Sequence, residues 1–205
     1  AEIWAREYLT NNGVLVQELE AKLSEYLDTP KLLYTSNGTI SLQIALNALD
    51  LKGSEVITTP FSYVATTSSL VWENCKPVFA DICPDTFNIS PADIERKITA
   101  KTKAIITVAL YGLSPEYDEI RDICKRYNLF LIEDNAESFL SYYKNKLVGT
   151  FGDFSSFSFQ ASKHLTCGEG GILCTSNESF ADNARRFSSL GYAGVSAKQG
   201  KITRN

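Results

Sequence analysis

Two stretches of this chain end in side chains that could do chemistry together. The segment SSFSFQASKHLTCGEGG, Ser155 to Gly171, is a β-rich run that reaches one lysine, Lys163, and then a glycine-dense turn. Upstream, the apolar run LFLIED ends in Glu133 and Asp134. A carboxylate closing a buried strand is costly unless it is paired. An amine and a buried acid at two strand ends suit one cofactor, pyridoxal 5′-phosphate (PLP). The lysine would form a Schiff base, and Asp134 would hold the pyridinium nitrogen. The plainer readings are a helix cap or salt bridge for Asp134 and a surface position for Lys163.

Other residues fall at neighbouring strand ends. Ser36-Asn37-Gly38-Thr39 follows one strand and opens a helix. A glycine turn at a helix N-terminus exposes N–H groups and the positive end of the dipole, which suits a phosphate. It also reads as a simple strand-to-helix turn capped by Thr39. Tyr63, just past another strand in Pro60-Phe61-Ser62-Tyr63, could stack on a flat heterocycle or pack into the core. Glu137 could reach the same ligand as Asp134. Ser155, Ser156 and Ser158 share one strand and read as surface alternation or as phosphate contacts. His164 is the single histidine. A Ser-His-Asp triad or a histidine-based metal site therefore has little to work with, and no metal is expected. In PLP chemistry the freed lysine can itself move the proton.

The elements that must position these residues alternate. Val16, Leu19, Leu23, Tyr26 and Leu27 recur at helical spacing, which predicts a helix over 15–27. Strands are predicted at 31–36, 55–60, 76–82, 104–111, 130–135, 153–159 and 170–176. Helices are predicted over 41–49, over 65–73, from Ser90-Pro91-x-Asp93, from Ser114-Pro115 to about Tyr127, and from an Asn177 cap to about Ser189. The tail from Gly191 reads as loop. The segments at 104 and 130 are nearly all apolar, as strands covered on both faces are. This is an α/β three-layer sandwich with a mainly parallel seven-stranded sheet, and ligands in such sheets bind beyond the carboxyl ends of the strands.

At 205 residues the chain is long enough to bury one substantial core. Its 44% hydrophobic and 21% charged content is that of a globular protein. The net charge of −4 argues against nucleic acid as a partner, and no apolar run is long enough to cross a bilayer. Five scattered cysteines without a CxxC pair read as reduced thiols in a cytoplasmic protein. The absence of methionine and the abrupt close at KITRN lead us to expect missing residues at both ends.

The segments SNGTISLQIAL, EVITTPFSYVATTSS, PVFADICPDTFNI, LIEDNAES and SFSFQASKHLTCGEGG fall in one order. In that order the chain resembles the PLP-dependent nucleotide-sugar aminotransferases, the DegT/DnrJ/StrS family of fold type I, over nearly its whole length. The resemblance implies that 1–205 is the large PLP-binding domain, without the C-terminal small domain of longer family members. It implies Lys163 as the Schiff-base lysine, Asp134 as the acid on the pyridine nitrogen, and Glu137 near the ring hydroxyl. Tyr63 would be the stacking aromatic. Gly38, Thr39 and Ser158 would be phosphate positions, with Ile40 adding a backbone N–H. Where the family commonly has a histidine before the Tyr-Gly of the fourth strand, this chain has Ala109.

The implied activity is transfer of an amino group from an amino acid, glutamate by resemblance, to a dTDP-linked 4-keto-6-deoxy sugar. Such a step serves surface polysaccharide (lipopolysaccharide) or glycoside biosynthesis. The resemblance also implies a homodimer for the full-length protein. One branch of the family replaces the lysine with histidine and dehydrates its sugar; Lys163 favours amino transfer. The rival readings are a PLP-binding regulatory protein without turnover and a nucleotide-binding Rossmann protein. The latter lacks a glycine fingerprint after its first strand.

Overall fold

The computed structural model describes residues 2–5 and 12–191. The loop expected from Gly191 onward lies, apart from Gly191 itself, outside the described residues. After a short helix α1 (Glu2–Ala5) come α2 (Val14–Tyr26), β1 (Lys31–Thr35), α3 (Gly38–Ala48), β2 (Glu55–Thr58), α4 (Ala65–Trp72), β3 (Lys76–Phe79), α5 (Pro91–Lys97) and β4 (Thr102–Val108). The chain continues through α6 (Tyr117–Tyr127), β5 (Phe130–Asp134), β6 (Tyr142–Tyr143), β7 (Lys146–Leu147), β8 (Phe154–Ser158), β9 (Gly171–Thr175) and α7 (Glu178–Ser188).

Seven strands form one sheet in the order β1-β9-β8-β5-β4-β2-β3. All run parallel except β9, which is antiparallel to both neighbours. The alternation of side chains across the pleat splits the apolar runs between two faces. Ala104, Ile106 and Ile132 pack with α3, α4 and α7 through Leu46, Leu70 and Ala184. Ile105 and Leu131 pack with α5 and α6 through Ile94, Tyr117 and Ile120. Beneath β1, β8 and β9, α2 contributes Leu23 to a third cluster with Leu32, Phe157 and Ile172. Among the described residues no helix is long and apolar enough to cross a membrane.

Local signals set most boundaries. The Ser90 hydroxyl caps α5 by accepting the Asp93 N–H at 3.3 Å, with Pro91 in the first turn. Asn177 caps α7 by accepting the Phe180 N–H at 3.1 Å. Three expectations need correction. The helix after β1 starts at Gly38 rather than Ser41, and its cap is Asn37, not Thr39: Asn37 Oδ1 accepts the Ile40 N–H at 2.9 Å. The strand expected over 104–111 stops at Val108, because Tyr111 and Gly112 take positive φ in a 3-10 turn. Ser114-Pro115 does not open α6, which begins at Tyr117, and the Ser114 hydroxyl instead donates to the Tyr142 carbonyl at 3.0 Å.

Cys75, Cys124 and Cys174 are buried, Cys83 is half-buried and Cys167 is exposed; all are free thiols. Burial pushes the Cys75 thiol up to about 11 and Cys124 to about 12. A thiol reagent added to the folded protein is therefore expected to modify Cys167 first. Peptide mapping of a timed labelling reaction checks this; Cys124 or Cys174 reacting as fast as Cys167 would contradict it.

Candidate active site

The carboxyl ends of β1, β2, β4, β5 and β8 and the start of β9 share one edge of the sheet. Every singled-out residue lies in or just past these ends. The first group surrounds the N-terminus of α3. Gly38 is buried, and a Cβ on it would stand 3.1 Å from Ser158 Cβ. The Ser156 hydroxyl donates to the Gly38 carbonyl at 3.1 Å. From the other side Gly171 closes in: a Cβ there would meet the Asn37 carbonyl carbon at 2.4 Å and the Gly38 nitrogen at 2.6 Å. Only glycine permits that approach. Gly38 and Ser158, far apart in sequence, thus come together. Thr39 is half-buried and Ile40 is exposed, and the Ile40 N–H is engaged by the Asn37 cap.

The second group is built on β5. Asp134 is buried, and each of its oxygens has a donor: the Thr66 hydroxyl at 2.8 Å on Oδ2 and the Ala136 N–H at 3.2 Å on Oδ1. Burial pushes its carboxyl above the usual range, against the pull of these two donors and of the Lys163 charge. Its neighbour Glu133 points to the opposite face and is wholly buried. There Oε1 accepts the N–H groups of Phe151 (2.7 Å) and Gly152 (2.6 Å), and Oε2 accepts that of Gly149 (2.8 Å). Burial pushes the Glu133 carboxyl up, and the three N–H donors pull it back.

Lys163 sits in the loop joining β8 to β9. Backbone bonds shape that loop: Lys163 N–H to Gln160 O at 2.9 Å, Cys167 N–H to Phe159 O at 3.1 Å and Phe159 N–H to Gly170 O at 2.8 Å. The Lys163 ammonium reaches 4.0 Å from Glu137 Oε1. Glu137 Oε2 accepts the N–H of Tyr111, a non-glycine residue held at φ 51°. The structure therefore gathers Lys163, Glu137 and Asp134 at one edge. Tyr63 stands at the same edge with its side chain exposed, and His164 is also exposed.

Two polar partners escaped the sequence reading. Thr66 lies inside an unremarkable run of small polar residues. Glu133 had a readable signal, an acid at the end of an apolar strand followed by the glycine-bearing Gly149-Thr150-Phe151-Gly152, but Asp134 shared it.

A family model described as the DegT/DnrJ/EryC1/StrS aminotransferase family matches residues 1–204. The chain is 41% identical to the GDP-perosamine synthase of Escherichia coli O157:H7 over 187 residues, 91% of this chain and 51% of that protein. It is 43% identical to the dTDP-4-amino-4,6-dideoxy-D-glucose transaminase of Shigella dysenteriae over 190 residues, 93% of this chain and 52% of that one. The solved aminotransferase from Psychrobacter cryohalolentis superposes with a TM-score of 0.93 at 30% identity, covering 100% of this chain and 52% of its own. The chain spans about half the length of the curated relatives it matches.

Proposed function

Given that this chain belongs to the DegT/DnrJ/EryC1/StrS aminotransferase family, whose members depend on PLP, we propose that the full-length protein is a nucleotide-sugar aminotransferase. It would move an amino group from an amino acid, glutamate, to a nucleotide-linked 4-keto-6-deoxy sugar. The product would serve surface polysaccharide or glycoside biosynthesis. The described residues fit the cofactor by their chemistry. A phosphate suits the N–H groups of Gly38 and Thr39 beside Ser158, with the Ile40 N–H available if it leaves its cap. The ring nitrogen suits Asp134, the ring hydroxyl suits Glu137, and the ring face suits Tyr63. The cofactor's carbonyl suits the Lys163 amine.

When bound, PLP supplies an electron sink for negative charge at the donor's Cα. The rest falls to the chain. Asp134 would keep the ring nitrogen protonated, a role favoured by burial that leaves its carboxylate in need of a cationic partner. Lys163 would take the proton from Cα and return it on the cofactor side, acting as general base and then acid. Glu137 stands beside that amine and would hold it in place. The observation that carries this reading is a buried acid, Asp134, at the same sheet edge as a largely buried lysine from a different loop, Lys163, whose amine reaches 4.0 Å from Glu137. We further propose that 1–205 is the large domain of a cytoplasmic homodimer. The relatives are named for GDP and dTDP sugars, so both nucleotides belong in the test.

That test uses the full-length protein. Borohydride reduction after PLP loading should leave a phosphopyridoxyl mass increment on the Lys163 peptide. Glutamate and a panel of GDP- and dTDP-linked keto sugars should yield an amino sugar by mass spectrometry. An increment on another lysine would refute the site, and no amino sugar from any donor and acceptor pair would refute the activity.

A further inference from the structure

Helix α4 brings Thr66, 1% exposed, against Asp134, and its hydroxyl donates to Asp134 Oδ2 at 2.8 Å. A hydroxyl carries a single hydrogen. With that hydrogen committed to Asp134, Thr66 Oγ1 is left to accept at its 2.7 Å contact with Ser62 Oγ, whose one hydrogen is shared with the Tyr63 carbonyl at 3.0 Å. The same Tyr63 carbonyl also accepts the Thr66 N–H at 3.2 Å. Ser62 thus backs Thr66, and Thr66 backs Asp134, with the inner bond buried and the outer one partly exposed.

With Asp134 as the cofactor's anchor, the role given to it under the proposed function, we propose that Thr66 is a positioning residue for that acid. The Ser62–Thr66 pair ties the orientation of the carboxylate to the segment bearing Tyr63. One donor per oxygen fixes the carboxylate plane. The same turn that supplies the donor sets the backbone of Tyr63, so ring stacking and the ring-nitrogen contact are held in register. Without Thr66, Oδ2 is a buried acceptor free to turn.

Titration of the full-length protein with PLP tests this. Thr66→Val, nearly the same shape without the hydroxyl, is expected to weaken PLP binding about tenfold, and Thr66→Ser to restore it to within about threefold. Thr66→Ala takes the place of valine if the valine variant does not fold. The decisive measurement is the cycle with Asp134→Asn: where the acid is already gone, losing the Thr66 hydroxyl should cost little more. A valine variant that binds PLP like the wild type, or one that costs the same factor in both backgrounds, overturns the positioning role alone. If Asp134→Asn itself leaves PLP affinity unchanged, the site reading falls and takes this inference with it.

Discussion

Replacing Lys163 with alanine is expected to lower the turnover of the full-length protein by at least about 10⁴-fold while leaving it folded. Proton transfer by a positioned side chain contributes about 10²–10⁴-fold on its own, and loss of the amine proposed to hold the cofactor would add to that. The fold does not depend on the amine. The loop around Lys163 is held by backbone bonds to Gln160 and Phe159. The ion pair lost with Glu137 is 4.0 Å long between side chains that are 22% and 24% exposed. Pairs of that kind contribute about 0–1 kcal/mol. Kinetics and thermal melting of the purified variant check both halves. A variant turning over near the wild-type rate would remove Lys163 from the chemistry.

Glu133→Ala should have the opposite profile, a collapse of stability rather than a selective loss of turnover. It strands the N–H groups of Gly149, Phe151 and Gly152 around a wholly buried hole. An unsatisfied buried donor costs about 1–3 kcal/mol, so the three together cost about 3–6 kcal/mol after partial relaxation. That is a large share of a domain's total of about 5–15 kcal/mol. Glu133→Gln keeps one acceptor oxygen, enough for Phe151 and Gly152, and sets its amide against the Gly149 N–H. It should fall between alanine and the wild type. Urea unfolding of the three proteins gives the order; an alanine variant as stable as the wild type would mean that Glu133 does not anchor this loop.

The two acids show where sequence reasoning stops. The run LFLIED announces a buried strand with charge at its end. It does not say which acid faces which side. That depends on the pleat: Asp134 lies on the face of α4, where Thr66 meets it, and Glu133 on the face of α6, where the 149–152 turn closes over it. Thr66 could not be read because its partner comes from a distant strand. The hairpin β6–β7 was missed for a different reason. Its strands are two residues each, and its turn rests on Lys144 and Asn145 at positive φ. Short pairings of this kind leave no periodicity to find.

The sequence by itself determined the alternation of strands and helices, the caps at Ser90 and Asn177, and the presence of an acid at one strand end and a lysine shortly past another. Each arises from local chemistry: apolar runs on twice-covered strands, side-chain oxygens on free N–H groups, and the cost of burying charge. Only the tertiary structure decided that β9 runs against its neighbours, so that Gly171 presses on Asn37 and Gly38. It alone set Gly38 in contact with Ser158 and placed Thr66 on Asp134. Strand order and side-chain facing arise from long-range pairing, which no short stretch of residues encodes.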